Sequence, residues 1–205
     1  MRERPILFSD PMVRAILAGA KTQTRRLVKP NPHKVDGGVP FADAPAWAHA
    51  EPGSAVMRCP YGVRGDRLWV RETHAIVPRT AYAWSNGVEQ VIRPDDDHDA
   101  AIFRAGWDRS SSGFSWRPSI HMPRWASRIT LEVTGVRVEK LQEISYEDAK
   151  AEGAEFWRND GTLTELPPCS EHRYEFEDLW TSINGADSWG QNPFVWVINF
   201  RRVGG

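Results

Sequence analysis

A short helix with clear start and stop signals, followed at once by a dense group of polar side chains, is the strongest local pattern in the sequence. Asp10 is predicted to be the N-cap, and Pro11 suits the first helical position, where a missing N–H costs nothing. Apolar side chains one helical turn apart form a single face, at Val13, Ile16 and Leu17. Gly19 can adopt the positive φ that ends such helices, so we predict a short helix that packing must hold in place.

The residues after this helix concentrate hydrogen-bond donors in one place. Six polar side chains stand in a row before the apolar pair Leu27-Val28: Lys21, Thr22, Gln23, Thr24, Arg25 and Arg26. Lysine, threonine and arginine directly after a helix stop are typical of a binding or catalytic site. The sequence therefore predicts a functional site here.

Composition is that of a globular protein with one domain. The 205 residues, 40% hydrophobic and 26% charged, suffice for a sizeable core with insertions. No run approaches the length of a membrane span and MRERPILF has no signal-peptide core, so we expect a cytoplasmic protein without membrane contact. Cys59 and Cys169 lie outside any metal-like spacing and are expected to be reduced thiols.

Charge is unevenly distributed, although the net charge is only −1. Residues 1–80 carry 13 Lys/Arg against 7 Asp/Glu, whereas residues 81–205 carry 13 against 20. Arginine, which suits forked contacts with phosphate, supplies 21 of the 26 basic residues, although a GC-rich genome produces the same bias. Three of the ten tryptophans are predicted to lie in the core, Trp69, Trp180 and Trp196. The others lie in loop-like sequence, where stacking on a base and packing under a loop are both open.

The stretch 67–77 is predicted to be one strand. Alternate side chains then point inward, three apolar and two polar: Leu68, Val70, Ile76, Glu72 and His74. A carboxylate on a core face is costly unless it is paired. We therefore expect Glu72 either to pair with Arg26 or Lys21 or to act as a second carboxylate of the site.

An acidic run, Asp95-Asp96-Asp97-His98-Asp99, lies within the irregular stretch 85–125. It resembles a set of metal ligands, but it lacks the alternating ligands and the glycine of a calcium loop. We predict a solvated turn and assign no metal and no cofactor.

Regular elements return in the C-terminal half. A strand over 129–138 changes face after Gly135, which is the slip that a bulge produces. Ser145 is predicted to cap a short helix, with Asp148 in the reciprocal capping position and Gly153 at its end.

The chain ends with a second helix and a last strand. The helix has one apolar face, formed by Phe176, Leu179, Trp180 and Ile183, and ends at Asn184-Gly185. The final run 194–200 is apolar on both faces and is predicted to be a central strand.

This order of elements resembles the ASCH domain, a family with the PUA-like β-barrel fold. The resemblance rests on five segments: Gly19, Lys21, Thr24 and Arg26; Gly65, Asp66, Leu68 and Val70; the strand from Ile129 to Leu141; the helix from Ser145 to Gly153; and Val197, Ile198 and Phe200. Together they cover roughly half of the chain. The most similar members that we recognise are longer versions carried by bacteriophages and prophages.

The resemblance implies an α+β fold, a curled mixed β-barrel with a few short flanking helices and long loop insertions. It implies a single domain over residues 1–205, with irregular insertions at about 30–64, 78–125 and 154–170. It also implies a pocket for RNA or a modified nucleoside. It gives no sign of the oligomeric state.

The resemblance also implies catalytic residues. One small bacterial family member is an amidohydrolase that removes the acetyl group from N4-acetylcytidine with a lysine, a threonine and a glutamate, which correspond here to Lys21, Thr24 and Glu152. Another member is described as a metal-dependent ribonuclease, so the fold does not fix one reaction.

The chemistry of these three groups is reasonable for amide hydrolysis. Thr24 offers a nucleophilic hydroxyl, and Lys21 can act as base if burial or a neighbouring arginine lowers its pKa. Glu152 ends a helix, where the dipole disfavours an anion, and is predicted to be the proton donor. The alternative is structural: Lys21 and Thr24 bind carbonyls after the helix stop, and Glu152 is a solvated helix end.

Five further residues are predicted to bind the substrate, Arg25, Arg26, Glu72, Arg71 and Trp69. A second hypothesis needs no catalysis. In that hypothesis the chain is a nucleic-acid-binding module that reads a single-stranded or modified base, with arginines on phosphate and loop tryptophans on the base. The sequence alone leaves both hypotheses open.

Overall fold

A computed structural model describes residues 1–29, 59–96, 98–109, 113–154 and 171–204 of the chain. Within these ranges there are eight strands and three α-helices. The strands are β1 Glu3–Leu7, β2 Gln23–Leu27, β3 Arg67–Arg71, β4 His74–Pro78, β5 Val91–Ile92, β6 Asp99–Phe103, β7 Thr130–Lys140 and β8 Phe194–Val203. The helices are α1 Asp10–Leu17, α2 Tyr146–Ala151 and α3 Glu171–Asn184.

The strands form two sheets, so the predicted mixed α+β class is confirmed. The larger sheet has the order β1-β3-β7-β8-β2, and the smaller one has the order β4-β6-β5. Only the β1–β3 pair of these ladders is parallel; the other pairs are antiparallel. β8 lies between β7 and β2, with Val195, Val197 and Ile198 fully buried, as expected for a central strand.

The larger sheet curls without closing into a barrel within the described residues. No backbone ladder there joins its two edge strands, β1 and β2. The edges nevertheless approach each other, because the Arg26 guanidinium on β2 donates to the Leu7 carbonyl on β1 over 2.8 Å. A side chain therefore bridges the gap that a closed barrel would fill with backbone hydrogen bonds.

The prediction of one strand over 67–77 is wrong. Glu72 and Thr73 interrupt the strand, so that β3 belongs to the larger sheet and β4 belongs to the smaller one. The break is fixed by buried contacts of Glu72, whose backbone N–H donates to the sulfur of Met122 and whose carboxylate binds Arg128. Alternation alone cannot reveal such a break, because burial still alternates through Val70, Glu72 and His74. Beyond it Ala75 and Val77 are buried, and Ile76, predicted to point inward, is only partly buried.

The bulge and the short helix are confirmed. The β7–β8 register shifts between Val133 and Gly135. The Ser145 hydroxyl accepts a hydrogen bond from the Asp148 N–H over 3.1 Å, and Gly153 follows α2 with a φ of 68°. The carboxylate of Asp148 is used elsewhere, however: it accepts from Gln23, Arg25 and Arg137 rather than from the cap.

The start of α1 and the burial of one residue on α3 differ from the prediction, whereas α3 ends at Asn184 as predicted. The N-cap of α1 is Ser9 and not Asp10, because the Val13 N–H donates to the Ser9 carbonyl and thereby closes the first turn one residue earlier. On α3, Phe176, Leu179 and Trp180 are buried as predicted, but Ile183 is 61% exposed. The last turn of α3 extends beyond the core, since residues 182–187 are all exposed.

The main core lies between the larger sheet and the three helices and contains Trp180 and Trp196, as predicted. Trp69 is only partly buried and lies outside that core, which corrects its predicted position. The predicted insertion 78–125 is also less irregular than expected, because it supplies β5, β6 and a cluster of edge-to-face rings: Tyr82, Trp107, Phe114 and Trp116.

Several sequence predictions concern residues outside the described ranges. These are most of the insertions at 30–64 and 154–170, with Trp47, Trp157 and Cys169. In the described part, Cys59 is a free thiol and no helix is both long and apolar enough to span a bilayer. The acidic run forms a turn in which Arg93 binds Asp96 and Asp99 at 3.7 and 3.5 Å; Asp97 is not described.

Asp66 ties the start of β1 to the turn before β3. Its carboxylate accepts from the Arg2 N–H and from the Arg4 guanidinium, each over 2.8 Å. These hydrogen bonds, that of Arg4 first, lower the pKa of Asp66 from 3.8 to about 2. The predicted Gly65-Asp66 turn therefore carries an electrostatic anchor.

Replacing Asp66 with asparagine is expected to remove stability in a pH-dependent way. A carboxylate whose pKa is lower in the folded protein stabilises it fully above the unfolded value, and loses that effect as the pH falls from 3.8 through about 2. Urea denaturation at stepped pH checks this expectation. The difference in unfolding free energy between wild type and Asp66→Asn should shrink over that interval, whereas a constant difference would contradict it.

Candidate functional site

The loop between α1 and β2 places Lys21 beside the end of α2. The Lys21 N–H donates to the Ala15 carbonyl, and the Thr22 N–H donates to the Ala151 carbonyl over 2.9 Å. The first bond folds the loop back onto α1, and the second attaches it to α2. The helix stop at Gly19, with a φ of 76°, permits this reversal.

Lys21 and Glu152 form a buried ion pair, although 131 positions separate them. The Lys21 Nζ donates to the Glu152 Oε2 over 2.8 Å and to the Glu152 carbonyl over 2.7 Å. The two residues are only 3% and 2% exposed, so Glu152 is not the solvated helix end of the structural alternative. Burial lowers the pKa of Lys21, the charge of Glu152 opposes this, and Arg26 and Arg25 lower it further.

Gly153 makes this close approach possible. Its φ of 68° suits glycine, and a Cβ built there would lie 2.9 Å from the Ala15 Cβ and 3.0 Å from the Lys21 Cβ. Any larger residue would push the end of α2 away from α1 and from Lys21. The glycine that the sequence predicts as a helix stop thus also sets the Lys21–Glu152 distance.

Arg25 is the centre of a second set of contacts around Glu152. Its side chain is fully buried, and its guanidinium donates to Glu152 Oε1 over 3.1 Å, to Asp148 over 3.0 Å, to Gln23 over 2.6 Å and to Glu139. The guanidinium also lies 5.6 Å from the ring centre of Phe176 on α3. The predicted contact of Arg25 with a substrate is therefore not available in this structure.

The ion pairs around Arg25 and Glu152 form one polar network with equal numbers of positive and negative side chains. Three cations meet three carboxylates: Lys21, Arg25 and Arg137 with Glu139, Asp148 and Glu152. Burial raises the proton affinity of Asp148, but the hydrogen bond from Gln23 and the charges of Arg137 and Arg25 outweigh it and lower its pKa. Such pairing offsets the desolvation that buried charges otherwise suffer.

Thr24 lies on the other face of β2 from Arg25. Side chains alternate along a strand, and Gln23 and Arg25 both face the network, so Thr24 and Arg26 share the opposite face. Thr24 is 1% exposed. The nucleophile of the predicted triad is thus buried, and it lies on the face of β2 opposite to Arg25, which contacts Glu152.

Phe8 connects Lys21 with the face that carries Arg26. Its ring centre lies 5.7 Å from the Lys21 Nζ and 5.3 Å from the guanidinium carbon of Arg26. Phe8 follows β1, so these contacts lie at the gap between β1 and β2. We call the group formed by Phe8, Lys21, Thr24, Arg26 and Glu152 the candidate site.

Glu72 does not belong to the candidate site, which corrects its predicted pairing with Arg26 or Lys21. It binds Arg128 through both oxygens, at 3.0 and 2.8 Å, and is fully buried. Burial raises the pKa of Glu72, and the hydrogen bond and charge of Arg128 oppose that rise. Its role is that of a paired core carboxylate.

Arg71 and Trp69 lie on β3, which is separated from the gap by β1. Arg71 donates to the Ile120 carbonyl, and its guanidinium lies 5.5 Å from the ring centre of Trp69. The structure therefore brings together Lys21 and Glu152, with Arg26 beside them through Phe8, and leaves Arg71, Trp69 and Glu72 outside.

Sequence reasoning missed Phe8, Glu139 and Asp148 as parts of this region. A signal for the network exists on β7, where Arg137 and Glu139 alternate with Val136 and Val138. Charged residues at alternate positions of a strand indicate a polar face, and the structure brings Asp148 of α2 into contact with Arg137 on that face. No comparable signal marks Phe8, whose position depends on the curl of the sheet.

Comparison of the chain with known proteins gives a match among solved structures, but none among family models or curated proteins. No protein-family model matches it, and no curated protein matches it. Among solved structures it is similar to the high-resolution crystal structure of an ASCH domain from Lactobacillus crispatus JV V101, with 10% identity and a TM-score of 0.40 over 98% of this chain and 79% of that one. Because the identity and the TM-score are this low, the similarity says nothing about the site, and the chemistry of the site must be inferred from this chain's own contacts.

Proposed function

We propose that the chain is an ASCH-type domain of PUA-like fold whose candidate site binds a modified nucleoside, free or in RNA, and hydrolyses an N4-acylated cytidine amide. One observation carries the proposal: Lys21 and Glu152 form a buried pair, 2.8 Å apart, and Lys21 lies just before the strand β2 that carries the buried Thr24. The motif Gly19-x-Lys21-x-x-Thr24-x-Arg26 supports the family assignment. A lysine whose pKa burial lowers is suited to general-base catalysis.

The proposed reaction proceeds through an ester. Lys21 releases one proton to Glu152 along their hydrogen bond, and Thr24 Oγ1 gives its own proton to the freed Nζ as it attacks the acyl carbon. The C–N bond then breaks, N4 leaves with a proton from Lys21, and Glu152 returns its proton to Lys21. Water hydrolyses the ester, so acetate and cytidine are the products when the acyl group is acetyl.

Both oxygens of Glu152 accept hydrogen bonds from cations, so its role differs from the predicted one. Lys21 donates to Oε2 and Arg25 donates to Oε1. In this arrangement Glu152 is an acceptor that orients Lys21 and receives its proton. Arg26 is partly exposed and offers a guanidinium to a planar base, and the buried ring of Phe8 lies behind it.

Turnover of N4-acetylcytidine by the purified chain tests this proposal. Thr24→Val keeps the size of the side chain but removes the nucleophile, and is expected to lower turnover by at least about 1,000-fold. Thr22→Val is the matched control, because Thr22 is exposed one position outside β2 and should keep wild-type turnover. Release of cytidine is followed by chromatography.

Two results would contradict the proposal that the chain hydrolyses N4-acylated cytidines. One is the absence of turnover on N4-acetylcytidine and other N4-acylated cytidines, and the other is full activity of Thr24→Val. The second hypothesis, a binding module without hydrolysis, then applies. It is favoured by the fact that Lys21 and Glu152 satisfy each other without a substrate, and it predicts a thermal shift with modified nucleosides that Thr24→Val leaves intact.

A further inference from the structure

A group of cationic side chains covers the outer side of β3, next to the candidate site. Trp69 contacts the guanidinium groups of two arginines, Arg71 at 5.5 Å and Arg124 at 5.8 Å from its ring centre. Arg117 and His121 lie on the same segment as Arg124 and are both exposed. We call this group, with Trp69, the arginine surface.

Defined contacts hold the segment that carries Arg117, His121 and Arg124. Arg117 and His74 exchange two backbone hydrogen bonds, at 2.7 and 3.2 Å. Further along, the Ile120 carbonyl accepts from Arg71, and the sulfur of Met122 accepts from the Glu72 N–H. The segment is therefore fixed to the ends of β3 and β4, which reduces the entropy lost when the arginine surface binds a ligand.

Cations outnumber carboxylates on this surface. Glu3 binds Arg124 at 3.0 Å and is partly exposed, whereas the carboxylate of Glu72 is buried and held by Arg128. Two apolar side chains stand beside the arginines: Ile120 is 60% exposed and Leu7 is 42% exposed. The arginine surface thus combines excess positive charge with exposed apolar contacts.

The arginine surface adjoins the candidate site through one strand. Leu7 pairs with Arg71 in the β1–β3 register, and the Leu7 carbonyl accepts from Arg26 of the candidate site. Neighbouring strands lie about 4.8 Å apart, so only the width of β1 separates the two groups.

We infer that the arginine surface binds the phosphodiester backbone of a single-stranded nucleic acid and presents one of its bases to the candidate site; this rests on the proposed function. Guanidinium groups bind phosphate through forked hydrogen bonds, and exposed apolar or aromatic side chains contact base faces. An acidic peptide would bind the arginines, but it would offer no planar base to contact Ile120, Leu7 and Trp69. A duplex would keep its bases from the candidate site.

Fluorescence anisotropy with a short labelled oligouridylate and its DNA counterpart tests the inference across a salt series. The double variant Arg117→Ala/Arg124→Ala is expected to bind about tenfold more weakly and to reduce the salt slope by about 1.4, because each contact with a single strand contributes about 0.7. Glu3→Gln removes the competing carboxylate and should tighten binding about twofold. A difference between RNA and DNA identifies the natural strand.

The matched control is Lys150→Ala/Arg173→Ala, which removes the same charge from exposed positions on α2 and α3. It should retain wild-type affinity. An equal loss in this control, salt-insensitive binding, equally tight binding of polyglutamate or the lack of any affinity for oligonucleotides would overturn the inference. The free nucleoside carries no phosphate, so failure to hydrolyse it would remove the proposed reaction without affecting this result.

Discussion

Replacing Arg25 with alanine is expected to lower the free energy of unfolding by about 3–5 kcal/mol, because it leaves buried carboxylates without their cation. Arg25 is fully buried and contacts Glu139, Asp148 and Glu152 at once. Removing it turns a balanced group into one with excess negative charge beneath Phe176. Desolvated carboxylates cannot recover this loss from water.

Urea denaturation of wild type and variant measures this loss, with Arg137→Ala as the matched control. Arg137 binds two of the same carboxylates, Glu139 and Asp148, but its side chain is 38% exposed. Water can replace much of that contact, so the control should lose less than about 1 kcal/mol. Similar losses in the two variants would contradict the assignment of Arg25 as the centre of the network.

Replacing Gly153 with alanine is expected to lower the free energy of unfolding by about 2–4 kcal/mol, through strain at positive φ and through steric overlap. The added methyl group would meet the Cβ atoms of Ala15 and Lys21 at 2.9 and 3.0 Å, and neither of these can rotate away. The end of α2 must then move, and Glu152 with it. The same variant should therefore lose turnover of N4-acetylcytidine.

Gly19→Ala separates the two causes. Gly19 also has a positive φ, 76°, but an added Cβ there meets nothing within 4 Å. Its replacement should cost only about 1–2 kcal/mol, from backbone strain. If thermal or urea denaturation gives the same loss for both glycines, steric overlap at Gly153 is not significant and the close approach of α2 to Lys21 is not decisive.

Much of the fold was predictable because its signals are local. Ser145 and Gly153 mark the ends of α2 by their own chemistry, and the change of face after Gly135 is visible in the sequence as a slip in alternation. The last strand was placed centrally because both of its faces are apolar. Each of these patterns depends on residues within a few positions of one another.

The candidate site was predicted less completely, because its partners are distant in sequence. Lys21 and Glu152 were assigned to one site through the family resemblance, and the structure places them in contact. The sequence predicts Arg25 as a substrate contact and Glu72 as a possible partner of Lys21 or Arg26, but Arg25 binds Glu152 and Glu72 binds Arg128. Alternation in a sequence indicates which side chains point inward but not which residues they contact. Strand order, bulge and curl together decide those partners.

The hydrogen bond from Arg26 to the Leu7 carbonyl joins the edge strands β1 and β2, and a competing acceptor can break it. Arg26 belongs to the candidate site and also holds two edge strands that no backbone ladder joins within the described residues. Any molecule that accepts hydrogen bonds from this guanidinium competes with Leu7 for it. Occupancy of the site and separation of the two strands are therefore coupled through a single side chain.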